Sequence, residues 1–431
     1  MAAQFTPATA DARLADPTLV ERTVLIHFAE SATEQQRTAL IQSIQGEVVR
    51  WLPQIHVAEV RLLPDTTDAV LLKENAAAVA QRRWQAAGRD LAVVQSVEND
   101  ALVEGAYIPN DPDVANQQRT YSLGAVHALE GWDYTRGSTE IIVAVLDSGI
   151  TSNHPEFRDR LLPGRDLVNN DDDPADDHGH GTHTAGIIAA GIDNNMGMAG
   201  ICPNCMILPV KVLNQNNAGT WSGVAAGILY ATDQGARVIN LSLGASVSST
   251  TLEDAIAYAL AHDVVIVAAA GNMGVERKFY PAALEGVIAV SATDANDQRW
   301  SLSNMGDYID VAAPGYAVYS TYNDLENYYG GYNYMSGTSM AAPHVAGLAG
   351  LLLTQNTERS AEEVYHIITS TADKLGGATY DVYMGYGRIN VARALAVDHD
   401  SQWLTVPSGE QAATAGEQQA QRLYIPLVAK P

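Results

Sequence analysis

Three short segments of the sequence carry the side-chain types that amide hydrolysis requires. Hydrolysis of an amide at neutral pH needs a nucleophile, a base that deprotonates it, and donors that bind the developing oxyanion. Asp147 ends the apolar run VAVLD, His180 lies among small residues in HGHGTH, and Ser339 precedes a predicted helix in SGTSMAAPHVAG. Each residue alone has an ordinary interpretation: a structural carboxylate or cation ligand, a loop histidine, and a helix N-cap. The three extended motifs together predict nucleophilic catalysis.

These segments resemble the catalytic blocks of the subtilase family, and their spacing through 105–396 is similar to that of the thermitase branch. The chain order Asp, His, Ser is the order found in subtilisin. The resemblance implies that Asp147 orients the imidazole, that His180 is the general base and then the general acid, and that Ser339 attacks the carbonyl carbon. The other two histidines of HGHGTH then have supporting roles or none.

The same resemblance implies an oxyanion donor and a peptide-binding groove. AAAGNMG is similar to the oxyanion segment of the family, so Asn272 is expected to donate beside the main-chain N–H of Ser339. LSLGAS and NAGTW resemble the two strands that hold an extended peptide by β-augmentation. The residues implied in this groove are Ser242, Leu243, Gly244, Gly219 and Trp221. An Asn in a turn and a turn with a packed Trp are the alternatives.

The segment RKFYPAA departs from the family at the primary specificity pocket. Phe279 stands at the base of this pocket, where many relatives carry a small residue. We expect a ring at this position to shorten the pocket and to shift the preference away from large aromatic side chains.

A first calcium site is implied by GIDNNMGMAG (191–200), which resembles the calcium loop of the family. Calcium takes six to eight oxygen ligands, mostly carboxylate and carbonyl. SNHPEF supplies a Glu where relatives commonly carry an Asp. The ligands implied are Asp111, Glu156, the side chain of Asn194, and the carbonyls of Ile192, Met196 and Met198. A polar loop closed by its own hydrogen bonds is the alternative.

RDLVNNDDDPADDHGHG (165–181) is a second candidate for calcium. The thermitase branch binds another calcium at positions that match Asp166, Asn169 and Asp171. Neighbouring aspartates repel one another, which favours a bound cation. Ala175 stands where relatives carry a side chain that donates oxygen, and a solvated acidic loop remains the alternative.

Continuous apolar runs indicate the elements that position these residues. IIVAVLD (141–147) and VVIVAAAGN (264–272) are typical of strands in a parallel sheet that helices cover on both faces. GVAAGILYATDQGA (223–236) and TLEDAIAYALAHD (251–263) are predicted to be helical. This alternation predicts a doubly wound α/β domain, subtilisin-like by the resemblance, with its active site beyond the carboxyl ends of the strands.

A separate pattern precedes this domain. Residues 23–104 show the order β-α-β-β-α-β, which predicts a small ferredoxin-like α+β domain. Such domains precede the catalytic unit in many subtilases, so the resemblance implies a propeptide that templates folding and inhibits the enzyme. Self-cleavage is expected near VEGAYIPNDP, after Tyr107 or within several residues of it. An unrelated binding module is the alternative.

The chain is therefore divided into four predicted parts. They are a leader (1–22), a propeptide domain (23–105), a catalytic domain (106–397), and a polar linker with a short apolar tail (398–431).

Composition narrows the function classes further. The 431 residues carry a formal charge of −25, and such a surface repels nucleic acid. No segment reaches the ~18 consecutive apolar residues of a membrane helix. The N-terminus lacks a basic-then-apolar signal peptide, so either a signal was trimmed or export uses another route. Cys202 and Cys205 are too few for a four-ligand zinc; a local disulfide is favoured over a redox pair or free thiols.

Together these features predict a secreted, calcium-binding serine endopeptidase, made as a self-processing zymogen and acting as a monomer on polypeptides. A catalytically silent protein of the same fold that binds peptides is the alternative. Reaction of Ser339 with an organophosphonate or a sulfonyl fluoride distinguishes the two.

Overall fold

The structure is a computed structural model that describes residues 19–63, 76–88, 93–101, 107–116, 118–375 and 379–397. Most of the predicted leader and all of the predicted linker and tail lie outside these residues. The chain divides into two compact units, Met1–Gly105 and Ala106–Pro431.

The first unit is built on a four-stranded antiparallel sheet with the order β2-β3-β1-β4. Its strands are β1 (Leu19–Phe28), β2 (Gly46–Leu52), β3 (Val57–Leu62) and β4 (Val94–Ala101), and its helices are α1 (Glu34–Ser43) and α2 (Ala76–Ala86). Alternate residues of β1, Val24, Ile26 and Phe28, are buried in one core with Leu40 of α1 and Trp84 of α2. The helices therefore cover one face of the sheet, in the β-α-β-β-α-β order expected from the sequence.

The second unit contains a parallel sheet of seven strands in the order β11-β10-β9-β8-β5-β7-β6. The strands are β5 (Ile142–Asp147), β6 (Arg165–Asp166), β7 (Met206–Lys211), β8 (Val238–Leu241), β9 (Val265–Ala269), β10 (Val287–Thr293) and β11 (Val311–Pro314). Val143 and Val145 of β5 belong to one apolar cluster, and Ala144 and Leu146 to another. Both faces are thus buried, which confirms the predicted doubly wound α/β fold.

Helices and one hairpin complete the described part of this unit. The helices are α3 (Tyr121–Ala125), α4 (Ala128–Gly131), α5 (His180–Ala189), α6 (Trp221–Asp233), α7 (Thr250–Leu260), α8 (Thr338–Gln355), α9 (Ala361–Ser370) and α10 (Val391–Leu395), and the hairpin strands are β12 (Val318–Thr321) and β13 (Tyr332–Met335). Helix α6 begins two residues before its predicted start because the Thr220 side chain accepts a hydrogen bond from the Gly223 N–H and caps it.

Cys202 and Cys205 form the local disulfide that the sequence favoured. Both residues are fully buried. Within the described ranges, no helix is long and apolar enough to cross a membrane.

Candidate active site

Two of the predicted catalytic residues lie at one edge of the parallel sheet, and the other two lie at the starts of helices. Asp147 is the last residue of β5, Ser242 follows β8, and Asn272 lies three residues after β9. Since β9, β8 and β5 are neighbouring parallel strands, their carboxyl ends lie at the same edge. His180 begins α5, and Ser339 is the second residue of α8.

Asp147 and His180 form a buried pair. His180 Nδ1 lies 2.7 Å from Asp147 Oδ1, and their side chains are 5% and 1% exposed. The Ser148 N–H donates to the same carboxylate oxygen at 2.7 Å. Burial opposes protonation of His180, but the charge and hydrogen bond of Asp147 outweigh it and raise the pKa of the imidazole. Nε2 is then the ring nitrogen available for proton transfer.

Ser339 is held by Ser242. The Ser339 hydroxyl donates to the Ser242 carbonyl at 3.1 Å, and the Ser242 hydroxyl donates to the Ser339 carbonyl at 2.8 Å. Among the hydrogen bonds of the described residues, none joins Ser339 to His180. Proton transfer from this hydroxyl to His180 would require the hydroxyl to leave the Ser242 carbonyl, in keeping with catalytic hydrogen bonds that tighten only when substrate binds.

Asn272 is fixed through its carbonyl oxygen. Asn272 Oδ1 accepts hydrogen bonds from the Thr338 N–H at 2.8 Å and from the Thr338 hydroxyl at 2.9 Å. The amide Nδ2 therefore remains as a donor. A Cβ atom placed on Gly337 would lie 3.2 Å from Asn272 Nδ2 and 3.6 Å from the main-chain N of Ser339. The two predicted oxyanion donors thus border the same small space.

One cleft of about 590 Å³ contains all the predicted substrate-binding residues together with two of the predicted catalytic ones. Its lining includes Ser242, Leu243, Gly244, Gly219, Trp221, Phe279, Asn272 and Ser339. None of its lining residues carries a charge, so the cleft is suited to an uncharged stretch of peptide. The Asp147–His180 pair is not among the described residues that line it.

Phe279 occupies the space between two glycine-containing segments of this cleft. A Cβ atom on Gly244 would lie 2.5 Å from Phe279 Cε1, and one on Gly271 would lie 2.9 Å from Phe279 Cγ. The ring therefore packs closely against both main-chain segments. At the other side of the cleft, Trp221 Nε1 donates to the Val247 carbonyl at 3.0 Å, which fixes the indole.

The first predicted calcium site contains two buried carboxylates. Asp111 and Glu156 are 1% and 0% exposed. The Asp193 and Asn194 N–H groups donate to Asp111 at 2.8 and 3.1 Å, and Asn194 Nδ2 donates to Glu156 at 2.7 Å. Burial raises the pKa of both carboxyls, to about 7 for Glu156. Neither has an ion-pair partner among the described residues.

The rest of that loop closes around Glu156. The Met198 N–H donates to Glu156 at 3.1 Å, and the Tyr332 hydroxyl donates at 2.7 Å. Asn194 Oδ1 accepts from the Met196 N–H at 2.8 Å. The structure therefore brings together Asp111, Glu156, Asn194 and Met198, with Ile192 and Met196 in the same loop. Sequence reasoning missed Tyr332, which lies far away along the chain.

The second predicted calcium site is satisfied largely by its own donors. Asp166 accepts from the Val168 and Asn169 N–H groups at 2.7 and 2.8 Å, and from Asn169 Nδ2 at 2.9 Å. Asp171 is exposed and pairs with Asp166 through the main chain. In the described segments, no group of three or more His, Cys, Asp or Glu side chains could hold a metal ion.

Two further histidines lie near the pair. His183 is buried, with Nε2 3.1 Å from the Val318 carbonyl, and burial followed by the charge of His180 lowers its pKa to about 3. The ring centroid of His178 lies 6.3 Å from that of His180. Only His180 is bonded to Asp147 among these three.

The chain belongs to the subtilase family, whose model matches residues 138–387. This family match and the serine proteinases described next identify the chain as a subtilisin-type serine endopeptidase. They confirm the fold and the family that the motifs predicted.

Two relatives support the assignment of the chain to the thermitase branch of the family. The chain is 46% identical over 289 residues to thermitase of Thermoactinomyces vulgaris, covering 67% of this chain and 99% of that one. It is 41% identical over 362 residues to the thermophilic serine proteinase of Bacillus sp. (strain AK1), covering 82% and 88%.

Solved structures agree with this assignment. A protease from Pseudoalteromonas arctica PAMC 21717 matches with a TM-score of 0.62 and 32% identity, covering 67% of this chain and 99% of that one. Fervidolysin from Fervidobacterium pennivorans, a keratinolytic enzyme related to subtilisin, matches with a TM-score of 0.60 and 27% identity, covering 90% and 63%.

Proposed function

We propose that this endopeptidase cuts peptide bonds through Asp147, His180 and Ser339, with Asn272 and the Ser339 N–H as oxyanion donors. The observation that carries the proposal is the buried 2.7 Å contact between His180 Nδ1 and Asp147 Oδ1. This contact fixes the imidazole tautomer that leaves Nε2 free to accept a proton.

The reaction then follows from these positions. Ser339 leaves the Ser242 carbonyl, gives its proton to His180 Nε2, and bonds to the carbonyl carbon of the substrate. Asn272 and the Ser339 N–H stabilise the oxyanion. His180 next protonates the leaving amine, so the peptide C–N bond breaks and an acyl-Ser339 remains. Water, deprotonated by His180, hydrolyses this ester while Asp147 stays ionised.

Active-site labelling tests the assignment. A sulfonyl fluoride should modify the protein at one site, with the label in the peptide that contains Ser339, and should abolish cleavage. Ser339→Ala should take up no label and hydrolyse no peptide. Full activity in that variant, or labelling elsewhere, would contradict the proposed nucleophile.

We also propose that substrate binds in extended form along Ser242–Gly244 and Gly219, with Phe279 closing the primary pocket. The close approach of two main-chain segments supports this. A Cβ atom on Gly219 would clash with the Val212 carbonyl oxygen, so a glycine at this position keeps the main chain open to a bound peptide and free of a side chain. The Phe279 ring packed against Gly244 and Gly271 supports a preference for small side chains at the cut.

Calcium is proposed as a structural ion at the first site. Asp111 and Glu156 would bind it, with Asn194 and loop carbonyls as further oxygen ligands. The support is the burial of two carboxylates without an ion-pair partner, since such a pair is stabilised by a cation. A second ion at Asp166, Asn169 and Asp171 has weaker support, because only one of its two carboxylates, Asp166, is buried and Asp171 is exposed.

We propose that residues 23–105 are a propeptide and that the enzyme is exported. A compact unit with its own core supports the propeptide, and the Cys202–Cys205 disulfide supports export, because disulfides persist in oxidising compartments.

The contacts of Tyr107 bear on the position of the cut. The Tyr107 hydroxyl donates to Asp193, and its ring stacks 3.5 Å from the guanidinium of Arg136. Tyr107 therefore fits the mature enzyme, and we move the proposed cut to its N-terminal side.

An intact-mass time course of the full chain tests this processing. The wild type should lose roughly a hundred residues and leave a product that begins near Tyr107. Ser339→Ala should remain whole, and shedding by that variant would rule out self-cleavage.

A further inference from the structure

The loop before His180 is fixed by the carboxylate of Asp176. Asp176 Oδ1 accepts hydrogen bonds from the Ser148 hydroxyl at 2.8 Å, from the His178 N–H at 3.0 Å and from the Gly179 N–H at 2.8 Å. Ser148 is the residue directly after Asp147. One carboxylate oxygen thus bonds the residue that follows Asp147 and the two residues that precede His180.

The second oxygen of Asp176 binds the first turn of α5. It accepts from the Thr182 N–H at 2.9 Å and from the Thr182 hydroxyl. Gly179, the N-cap residue of α5, provides no side-chain cap, so Asp176 satisfies N–H groups that this helix start would otherwise leave free. A carboxylate near a helix N-terminus also interacts favourably with the helix dipole.

Ser148 connects these contacts to the residue beside His180. The Ser148 hydroxyl, while donating to Asp176, accepts a hydrogen bond from the Gly181 N–H at 2.9 Å. The Ser148 carbonyl accepts from Lys211 Nζ at 2.6 Å, and Lys211 also bonds Asp177 at 2.7 Å. Lys211 is a buried cation, 1% exposed, so this arrangement is anchored in the protein interior.

Asp147 and His180 are 33 residues apart and belong to different elements. Two hydrogen bonds join α5 directly to Asp147, one from His180 at 2.7 Å and a longer one from the Thr184 hydroxyl at 3.4 Å. Because both end on one carboxylate, they leave the helix free to shift or rotate about it. A misplacement of about 1 Å in a catalytic group can cost on the order of 100-fold in rate. Asp176 and Ser148 provide the additional contacts that remove this freedom.

We propose that Asp176, acting through Ser148, is a positioning residue that holds His180 against Asp147 for catalysis. The inference rests on the proposed triad. Burial lowers the pKa of His180, whereas the charge and hydrogen bond of Asp147 and then the charge of Asp176 raise it, with a net increase. A residue that only capped α5 would change stability and leave turnover per active enzyme unchanged.

Three variants of the full chain separate these roles. Asp176→Ala removes every contact of the carboxylate and leaves the Gly181 N–H bonded to the Ser148 hydroxyl, whereas Ser148→Ala removes both bonds of that hydroxyl and leaves the bonds from Asp176 to α5. Asp173→Asn is the control, because it removes a charge from the same loop at an exposed side chain for which no described residue is a hydrogen-bond partner. Active sites are counted by sulfonyl fluoride titration, and kcat and KM are measured per titrated site.

We expect kcat to fall about 10- to 100-fold in Asp176→Ala and about tenfold in Ser148→Ala. KM should stay within about twofold, because neither residue lines the substrate cleft. The downfield proton resonance of the His180 Nδ1–H bond should shift or broaden in both variants. Asp173→Asn should match the wild type in all three measurements.

The proposal is overturned if Ser148→Ala and Asp176→Ala keep kcat within twofold of Asp173→Asn and only lose thermal stability. It is also overturned if kcat falls while the downfield resonance is unchanged. If Asp176→Ala does not fold, Ser148→Ala decides alone. A wild-type chain that no sulfonyl fluoride labels at Ser339 would instead refute the proposed function.

Discussion

At the scale of single residues, two opposing effects determine the charge of His180. Burial disfavours the imidazolium, and Asp147 stabilises it more strongly, so the pKa of His180 is raised above its ordinary value of 6.5. As the proposed general base, His180 must be neutral to accept a proton from Ser339. A raised pKa therefore moves the loss of activity on the acid side to a higher pH.

The pH dependence of kcat/KM tests this charge balance. We expect its acid limb to have a midpoint above 6.5, because His180 must lose its proton before it can act as base. Asp147→Asn should lower that midpoint and reduce kcat by on the order of 10⁴. A wild-type midpoint below 6.5 would contradict the net effect of Asp147.

Phe279 offers a second test at this scale. Phe279→Gly removes the ring that packs against Gly244 and Gly271 and should open the primary pocket. We expect kcat/KM for a peptide cut after Phe to rise at least about tenfold relative to a matched peptide cut after Ala, since a buried ring gains about 1.5–3 kcal/mol. A wild-type preference for Phe over Ala and Leu would refute the role of Phe279.

At the scale of elements, helix starts contribute to the site. α6 starts at Trp221, in the wall of the cleft, and Thr220 caps it with a 3.2 Å hydrogen bond from the Gly223 N–H. Ser249 caps α7 in the same way through the Leu252 N–H, also at 3.2 Å. Neither Ser249 nor α7 lines the cleft. The two caps are therefore a matched pair.

Thr220→Ala and Ser249→Ala should each lower the free energy of unfolding by about 1 kcal/mol, because each loses an N-cap bond. Only Thr220→Ala should raise KM for an extended peptide, by up to about fivefold, as the start of α6 loosens beside the cleft. Thermal unfolding and steady-state kinetics check both parts. Equal KM values in the two variants would show that this helix start has no role in binding.

At the scale of the whole molecule, the excess of carboxylates over basic side chains creates repulsion that the fold must offset. The formal charge is −25, and Asp111 and Glu156 are buried without an ion-pair partner among the described residues. The calcium ion proposed at the first site would offset such repulsion and link distant segments, here the start of the catalytic unit and the loop 191–200. Calcium is then expected to stabilise the folded enzyme by mass action.

Removal of calcium should lower Tm. At a calcium concentration of about 100 times Kd, binding contributes about 2.7 kcal/mol, which corresponds to roughly 4–5 °C in a domain of this size. Chelation followed by readdition of calcium measures the change, with magnesium as the control ion. Glu156→Gln should abolish most of the shift, and Asn169→Ala reports on a second ion. An unchanged Tm after chelation would refute the structural calcium.

Local patterns in the sequence were sufficient to predict the main elements of the fold and to select the candidate catalytic residues. The apolar runs 141–147 and 264–272 predicted β5 and β9 because burial on both faces leaves no polar position in a strand. The motif around Ser339 predicted a helix that starts after this residue, and α8 starts at Thr338, so that Ser339 is its second residue. These signals are short-range, since each depends on residues within a few positions of one another.

The tertiary structure decided which groups meet. The bond between Ser339 and Ser242 joins residues 97 apart, and the bond that fixes Asn272 joins it to Thr338 across 66. In the sequence, Asp176 is one of several aspartates of an acidic loop, and only the fold brings it to Ser148. No local pattern specifies such contacts, because they depend on how distant strands and helices pack.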